Sequence, residues 1–205
     1  LLIGLLTLSV RVFDNRQEVH VAVVPALEPF TYESEGAKLT GFDIELMNII
    51  AEKSGVKVRY EAVALDYVFE AVNSGTVDAA VCSLSVTPER QKNVSFTKPY
   101  IEKGGLAVMT RRGESAEFSG KVIGVQSGST SEAFARNLGN VKLQVFQSNR
   151  DMVKAFNEGW VGAVVFDRLI LNHMIAEKLI EVPVTLQSLN TEEYAIAFSG
   201  KNKAM

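Results

Sequence analysis

From Glu18 onward the chain alternates short β-branched runs with stretches whose apolar residues recur at helical spacing. Val19–Val24 (VHVAVV) reads as a strand. In Gly41–Ser54, Phe42, Leu46, Ile49 and Ile50 follow helical spacing, Asp43 suits the positive end of the helix dipole, and Gly55 ends the run. Val56–Tyr60 predicts a second strand, Asp66–Asn73 a helix closed by Ser74 and Gly75, and Val77–Leu84 a buried strand. This order is that of a mainly parallel sheet covered by helices. The pattern then restarts. Lys121–Val125 predicts a strand, Ser127–Thr130 a turn into a helix at Ser131–Asn137, and Val141–Val145 a strand. Arg150–Asn157 follows as a helix, Val161–Phe166 as a strand and Asp167–Lys178 as a further helix.

The two runs share a weak repeat: Ala71–Val81 (AVNSGTVDAAV) and Ala155–Val165 (AFNEGWVGAVV) are each a helix end, an Asn-x-Gly turn and a buried strand. Common ancestry and the general likeness of helix–Gly–strand junctions explain this equally well; both readings give two similar α/β lobes. Lys98–Gly105 (KPYIEKGG) suits one crossover between them. A second lies near Gln187–Glu193, after which Tyr194–Phe198 (YAIAF) alternates as a strand and returns to the first lobe. The expected architecture is α/β with two hinged lobes: residues 18–100 plus 192–205, and residues 101–191. Residues 1–17 form a separate N-terminal segment. Hinged lobes enclose a cleft, a common place for a ligand.

Composition narrows the function classes. The 205 residues are 47% hydrophobic and 22% charged, with a formal net charge of -3, so no basic surface points to nucleic acid. Two histidines and one cysteine are poor material for a metal site, and Cys82 has no partner for an internal disulfide. His20 and His173 read as structural or exposed. Leu1–Val10 (LLIGLLTLSV) is almost wholly apolar but short of the roughly 20 residues a membrane helix needs. It reads as the remnant of an export signal or anchor, with a core strand or helix as the alternative.

In an open α/β sheet, ligands sit beyond the carboxyl ends of the strands. Three places meet that rule. The first is Cys82–Arg90 (CSLSVTPER), where Thr87 and Pro88 mark a helix start. The N–H groups near Ser85 and the fork of Arg90 can converge there on a carboxylate; read alone, Arg90 is more readily a surface residue on a first turn. The second is Gln126–Thr130 (QSGST), whose backbone N–H groups open a helix and whose Ser129 and Thr130 hydroxyls add donors. An ordinary Ser/Thr cap explains the same text. The third is Asp167, directly after the buried run Ala163–Phe166, which either faces the cleft or caps the next helix. Together they complement a zwitterion: Arg90 for a carboxylate, Asp167 for an ammonium.

The chain resembles the bacterial extracellular solute-binding proteins of the polar amino acid type, family 3. The matching text is GFDIEL, VNSGTVDAAV and SVTPERQKNVSFTKPY, then GVQSGSTSE and TEEYAIAF, over roughly residues 18 to 200. SGST and VVFD are also similar to ionotropic glutamate receptor ligand cores. The resemblance implies a two-lobed periplasmic binding protein-like fold of type II. It implies that Ser83 offers its carbonyl to the ligand ammonium and that Ser85 and Arg90 hold the α-carboxylate. Ser129 and Thr130 would donate from the second lobe, Asp167 would bind the ammonium, Tyr194 would orient that acid, and Gln126 would touch the ligand side chain. Leu27 and Leu65 stand where relatives carry aromatic residues, which argues against a cationic ligand held by cation–π contacts, and Phe30 then reads as core.

The function implied is extracytoplasmic binding of a glutamate-like or other polar L-amino acid, for uptake through an ABC-type membrane permease or for sensing, periplasmic or extracellular and possibly membrane-anchored. The alternative is the ligand core of a glutamate-gated channel or membrane sensor; residues 105–119, where such channels insert their pore, read as polar (RRGESAEFSG) without a span. A dehydratase on the same fold is a weaker reading, since no Ser-His-Asp set, Cys-His pair or metal spacing occurs. No enzyme activity, cofactor or metal is expected.

Overall fold

The computed structural model describes residues 17–34 and 36–200, so the apolar run Leu1–Val10 lies outside the described residues. The chain opens with β1 (Glu18–Val23). A small antiparallel meander follows: β2 (Ala26–Leu27), β3 (Thr31–Ser34) and β4 (Lys38–Thr40). Next come α1 (Phe42–Ser54), β5 (Lys57–Ala62), a 3-10 turn at Leu65–Tyr67 leading into α2 (Val68–Ser74), and β6 (Ala79–Ala80). The one-turn α3 (Pro88–Gln91) and β7 (Ser95–Phe96) complete this stretch. After β8 (Ile101–Gly104) come β9 (Leu106–Arg111), β10 (Val122–Gln126), α4 (Thr130–Asn137), β11 (Lys142–Phe146), α5 (Asn149–Asn157), β12 (Ala163–Asp167), α6 (Arg168–Ala176) and β13 (Val184–Ser188). The chain returns through β14 (Glu192–Tyr194) to β15 (Ala197–Phe198).

Two five-stranded sheets result, ordered β5-β1-β6-β15-β7 and β11-β10-β12-β9-β13. In each, the first three strands are parallel and the last two attach antiparallel. The repeat seen in the sequence holds the same slot in both: β6 and β12 are each third in their sheet. Both faces of each sheet are covered, as parallel strands require. Val19, Val21 and Val23 pack with Ile44 and Met47 on one face, while Ala22 and Val24 enter the cluster on the other. In β12, Ala163 and Val165 alternate with Val164 and Phe166 in the same way. β8 pairs with β14, forming the two-stranded connection between the sheets. Among the described residues no helix is long and apolar enough to cross a membrane.

Several boundaries differ from the sequence reading. Only Ala79 and Ala80 of Val77–Leu84 join the sheet. The chain turns away at Ser83, whose φ is 49°, and the Ser83 N–H donates to Asp43 Oδ2 at 2.7 Å instead of to a neighbouring strand. Tyr194–Phe198 is two strands: Tyr194 pairs with Ile101 in the hinge, Ala197 with Ala80 in the sheet. Residues 105–119 are not polar throughout, because β9 is a core strand whose first five residues are buried.

Candidate functional site

Thr87 caps α3: its hydroxyl oxygen accepts from Arg90 N at 3.2 Å, and Pro88 fills the first helical position where no N–H is needed. That single turn fixes the base of the Arg90 side chain. Its guanidinium donates from Nη1 to Ser85 O at 2.9 Å and from Nη2 to Gly128 O at 3.1 Å, and stacks 4.5 Å from the centre of the Phe69 ring. Among the described residues Arg90 has no ion pair. Burial pushes its pKa down to about 10, against the opposing pull of the nearby Glu192 carboxylate.

Across the cleft, α4 starts at Ser129, whose oxygen accepts from Glu132 N at 3.1 Å while its hydroxyl donates to Gln126 O at 2.6 Å. Thr130 therefore projects from the first turn, and its hydroxyl donates to Glu192 Oε2 at 3.0 Å. The alternatives weighed for Asp167 prove compatible. Oδ1 caps α6, accepting from Leu169 N at 2.8 Å and Ile170 N at 3.1 Å, while Oδ2 accepts from the Tyr194 hydroxyl. Burial raises the Asp167 pKa to about 6 despite these hydrogen bonds.

A small cavity, partly open to solvent, lies between these groups. Ser83, Ser85 and Arg90 line it from the first sheet's side, and Ser129, Thr130 and Asp167 from the second's. Leu27 and Leu65 also line it, so the positions expected to be aromatic give an aliphatic wall. Phe30 is core, edge-on to Tyr194 with ring centres 5.9 Å apart. Two expected residues are not part of the wall. Tyr194 is fully buried behind Asp167, and its hydroxyl accepts from Gly105 N at 3.0 Å. Gln126 is buried beneath the turn, donating from Nε2 to Gln147 O at 3.3 Å.

Two carboxylates were not among the expected site residues. Asp43 suits a helix start in the sequence, but it is fully buried, holds the Ser83 amide, and has a pKa raised to about 6 by burial. Glu192 accepts from both Ser85 and Thr130. Its only sequence signal was its place two residues before Tyr194.

Two lobes, a two-stranded hinge and a cavity lined from both sides, with charged and hydroxyl groups set in an aliphatic wall, define a two-lobed binding protein of the periplasmic type. The chain belongs to the bacterial extracellular solute-binding proteins, family 3, whose profile matches residues 19–164. A probable histidine-binding protein of Campylobacter jejuni is 32% identical over 190 residues, 89% of this chain and 72% of its own length. An L-arginine-binding protein of Pseudomonas aeruginosa is 28% identical over 177 residues, 82% of this chain and 68% of its own. The solved structure of an ancestral arginine-binding protein bound to arginine matches with a TM-score of 0.85 at 31% identity, covering 91% of this chain and 86% of that one.

Proposed function

We propose that this chain binds a small amino acid outside the cytoplasm by closing its two lobes around it. Arg90 and the Ser85 hydroxyl take the ligand's α-carboxylate, with Ser129 and Thr130 donating from the opposite side. Asp167 and the Ser83 carbonyl take the ammonium. Tyr194 acts through Asp167 rather than on the ligand. The lobes comprise residues 18–100 plus 192–205 and residues 101–191, and β8 and β14 carry the hinge.

The observation behind this reading is a pair of desolvated, opposite charges facing one cavity. Arg90 has no ion pair among the described residues, and Asp167 is raised in pKa by burial. A desolvated charge is costly unless a charge of opposite sign meets it. A zwitterion meets both at once and is bound most tightly when the lobes are closed. Leu27 and Leu65 offer no ring for a cation–π contact, which favours a polar ligand, glutamate-like acids included. The named ligands of the relatives, histidine and arginine, make amino acids the class to test. Delivery to an ABC-type permease follows from the family, and the Leu1–Val10 run is the segment that would serve export or anchoring.

A thermal-shift screen of the common L-amino acids tests the reading, because a ligand bound only by the folded state raises the melting temperature with concentration. Arg90→Ala and Asp167→Ala should each cost roughly 2–5 kcal/mol of binding by calorimetry while melting stays cooperative. Wild-type affinity in either variant would remove that residue from the site.

A further inference from the structure

The Glu192 carboxylate engages hydroxyls from both sides of the cleft. The Ser85 hydroxyl donates to its Oε2 at 2.5 Å and the Thr130 hydroxyl to the same oxygen at 3.0 Å. These are two of the donors assigned above to the α-carboxylate, one on each side of the cleft. Its other oxygen, Oε1, accepts from Asn190 Nδ2 at 3.0 Å, and Asn190 Oδ1 accepts from Leu106 N at 2.7 Å, which ties the group to the start of β9. The residue itself sits on the hinge strand β14. Its charge acts on Arg90, holding the guanidinium protonated against burial.

The surroundings give this carboxylate somewhere to go. On the far side of Arg90, Ser129 and Thr130 lies a more open hollow, and Glu192 lines that hollow and not the inner cavity. The residue is partly exposed. A rotation toward the hollow frees both hydroxyls without disturbing Asn190's bond to Leu106.

We propose that the Glu192 carboxylate is a built-in occupant of the carboxylate subsite, holding the Ser85 and Thr130 hydroxyls until a ligand carboxylate displaces it. This rests on the assignment of Ser85, Arg90 and Thr130 to the ligand carboxylate. The tether makes Glu192 a competitor at high local concentration. It also bridges the lobes before ligand arrives, since Ser85 and Thr130 lie on opposite sides of the cleft. A carboxylate on the ammonium side would be drawn to a cation instead; Glu192 is bonded to hydroxyl donors, while Asp167 is engaged with Tyr194.

The sign of the expected effect separates this role from a simple brace. Displaced by ligand, Glu192 contributes no contact to the bound state, so removing it destabilises only the free, self-occupied state. Apparent affinity is reduced by the fraction of protein in that state. Glu192→Ala and Glu192→Gln should therefore bind the preferred amino acid about tenfold more tightly if self-occupancy is about nine-tenths. The ligand-free variants should also show a larger radius of gyration by small-angle scattering, because the bridge is gone. The experiment is calorimetry of wild type and both variants with the common L-amino acids, scattering with and without ligand, and a melting curve to verify folding. Tighter binding with a more open free state supports the proposal. Unchanged or weaker binding in folded variants, with wild type binding normally, overturns it and leaves the amino-acid reading intact. A wild type that binds no amino acid overturns both.

Discussion

At the scale of single residues, the site is a set of ionisable groups moved from their ordinary pKa by burial. Asp167 and Asp43 both rise to about 6, and Arg90 falls to about 10. In the proposed site the ligand ammonium would pair with ionised Asp167 only, so lowering the pH through 6 would make the proton a competitor. Calorimetry should find affinity falling by up to about tenfold per pH unit below that point and level above it. Asp43→Asn should keep this slope if Asp167 is its source. Affinity that is flat from pH 5 to 7.5 would exclude Asp167 as the ammonium partner. The free protein's stability runs the other way. Folded pKa values raised above the ordinary carboxylate value of 3.8 give a contribution present below about pH 4 and lost as the pH rises through about 6. These shifts were not legible from the sequence. A carboxylate after a strand reads alike whether it is solvated or enclosed, and enclosure comes from residues distant in the chain.

At the scale of elements, the hinge strands meet in a close approach. A Cβ on Gly104 would lie 2.3 Å from Tyr194 Cζ and 2.6 Å from its hydroxyl oxygen. Gly104 sits on β8 and Tyr194 on β14, so the absence of a side chain on one strand admits the ring of the other. Gly104→Ala should cost roughly 1–3 kcal/mol of stability through overpacking. It should also weaken amino-acid binding, because a displaced Tyr194 releases Asp167. A melting temperature and an affinity both equal to wild type would show that the hinge absorbs the methyl group. The elements themselves were largely readable: the helix starting after Gly41, the Thr87-Pro88 cap and the Ser129 cap depend on local spacing. The short strands were not. β6 and β7 have only two laddered residues each, and β9 and β13 are fixed by pairing with each other and with β12.

At the scale of the whole molecule, binding depends on how closely the lobes approach. Gly128 is a tight point between them: its φ is +73°, and an added Cβ would lie 2.4 Å from the Asp66 Cα across the cleft. Ser127 donates to Asp66 Oδ2 at 3.0 Å beside it, and Arg150 pairs with Glu28 at 3.2 Å further along the same seam. Gly128→Ala should leave each lobe folded, at a cost of roughly 1–2 kcal/mol for the left-handed backbone, but hold the lobes apart. The expected result is amino-acid binding at least about tenfold weaker, since only a minor population reaches the closed state, and a ligand-saturated radius of gyration larger than wild type. A variant that closes as fully as wild type would mean that Asp66 moves aside.

The sequence by itself determined the alternation of strands and helices, the two-lobe plan, and the residue types at the strand ends. Those follow from local spacing, from capping chemistry and from the match of TPER and SGST to a known family. Tertiary structure decided which polar groups meet. Arg90 stands 77 places before Asp167 in the chain and Glu192 lies 102 places after Arg90, distances over which no spacing rule acts. Only the packing of two sheets around one hinge brings the Ser85 and Thr130 hydroxyls onto the same Glu192 oxygen. Tyr194 and Gln126 show the same limit from the other side. Each follows its motif in the text, yet burial behind the wall gives the first a supporting place and leaves the second outside the cavity.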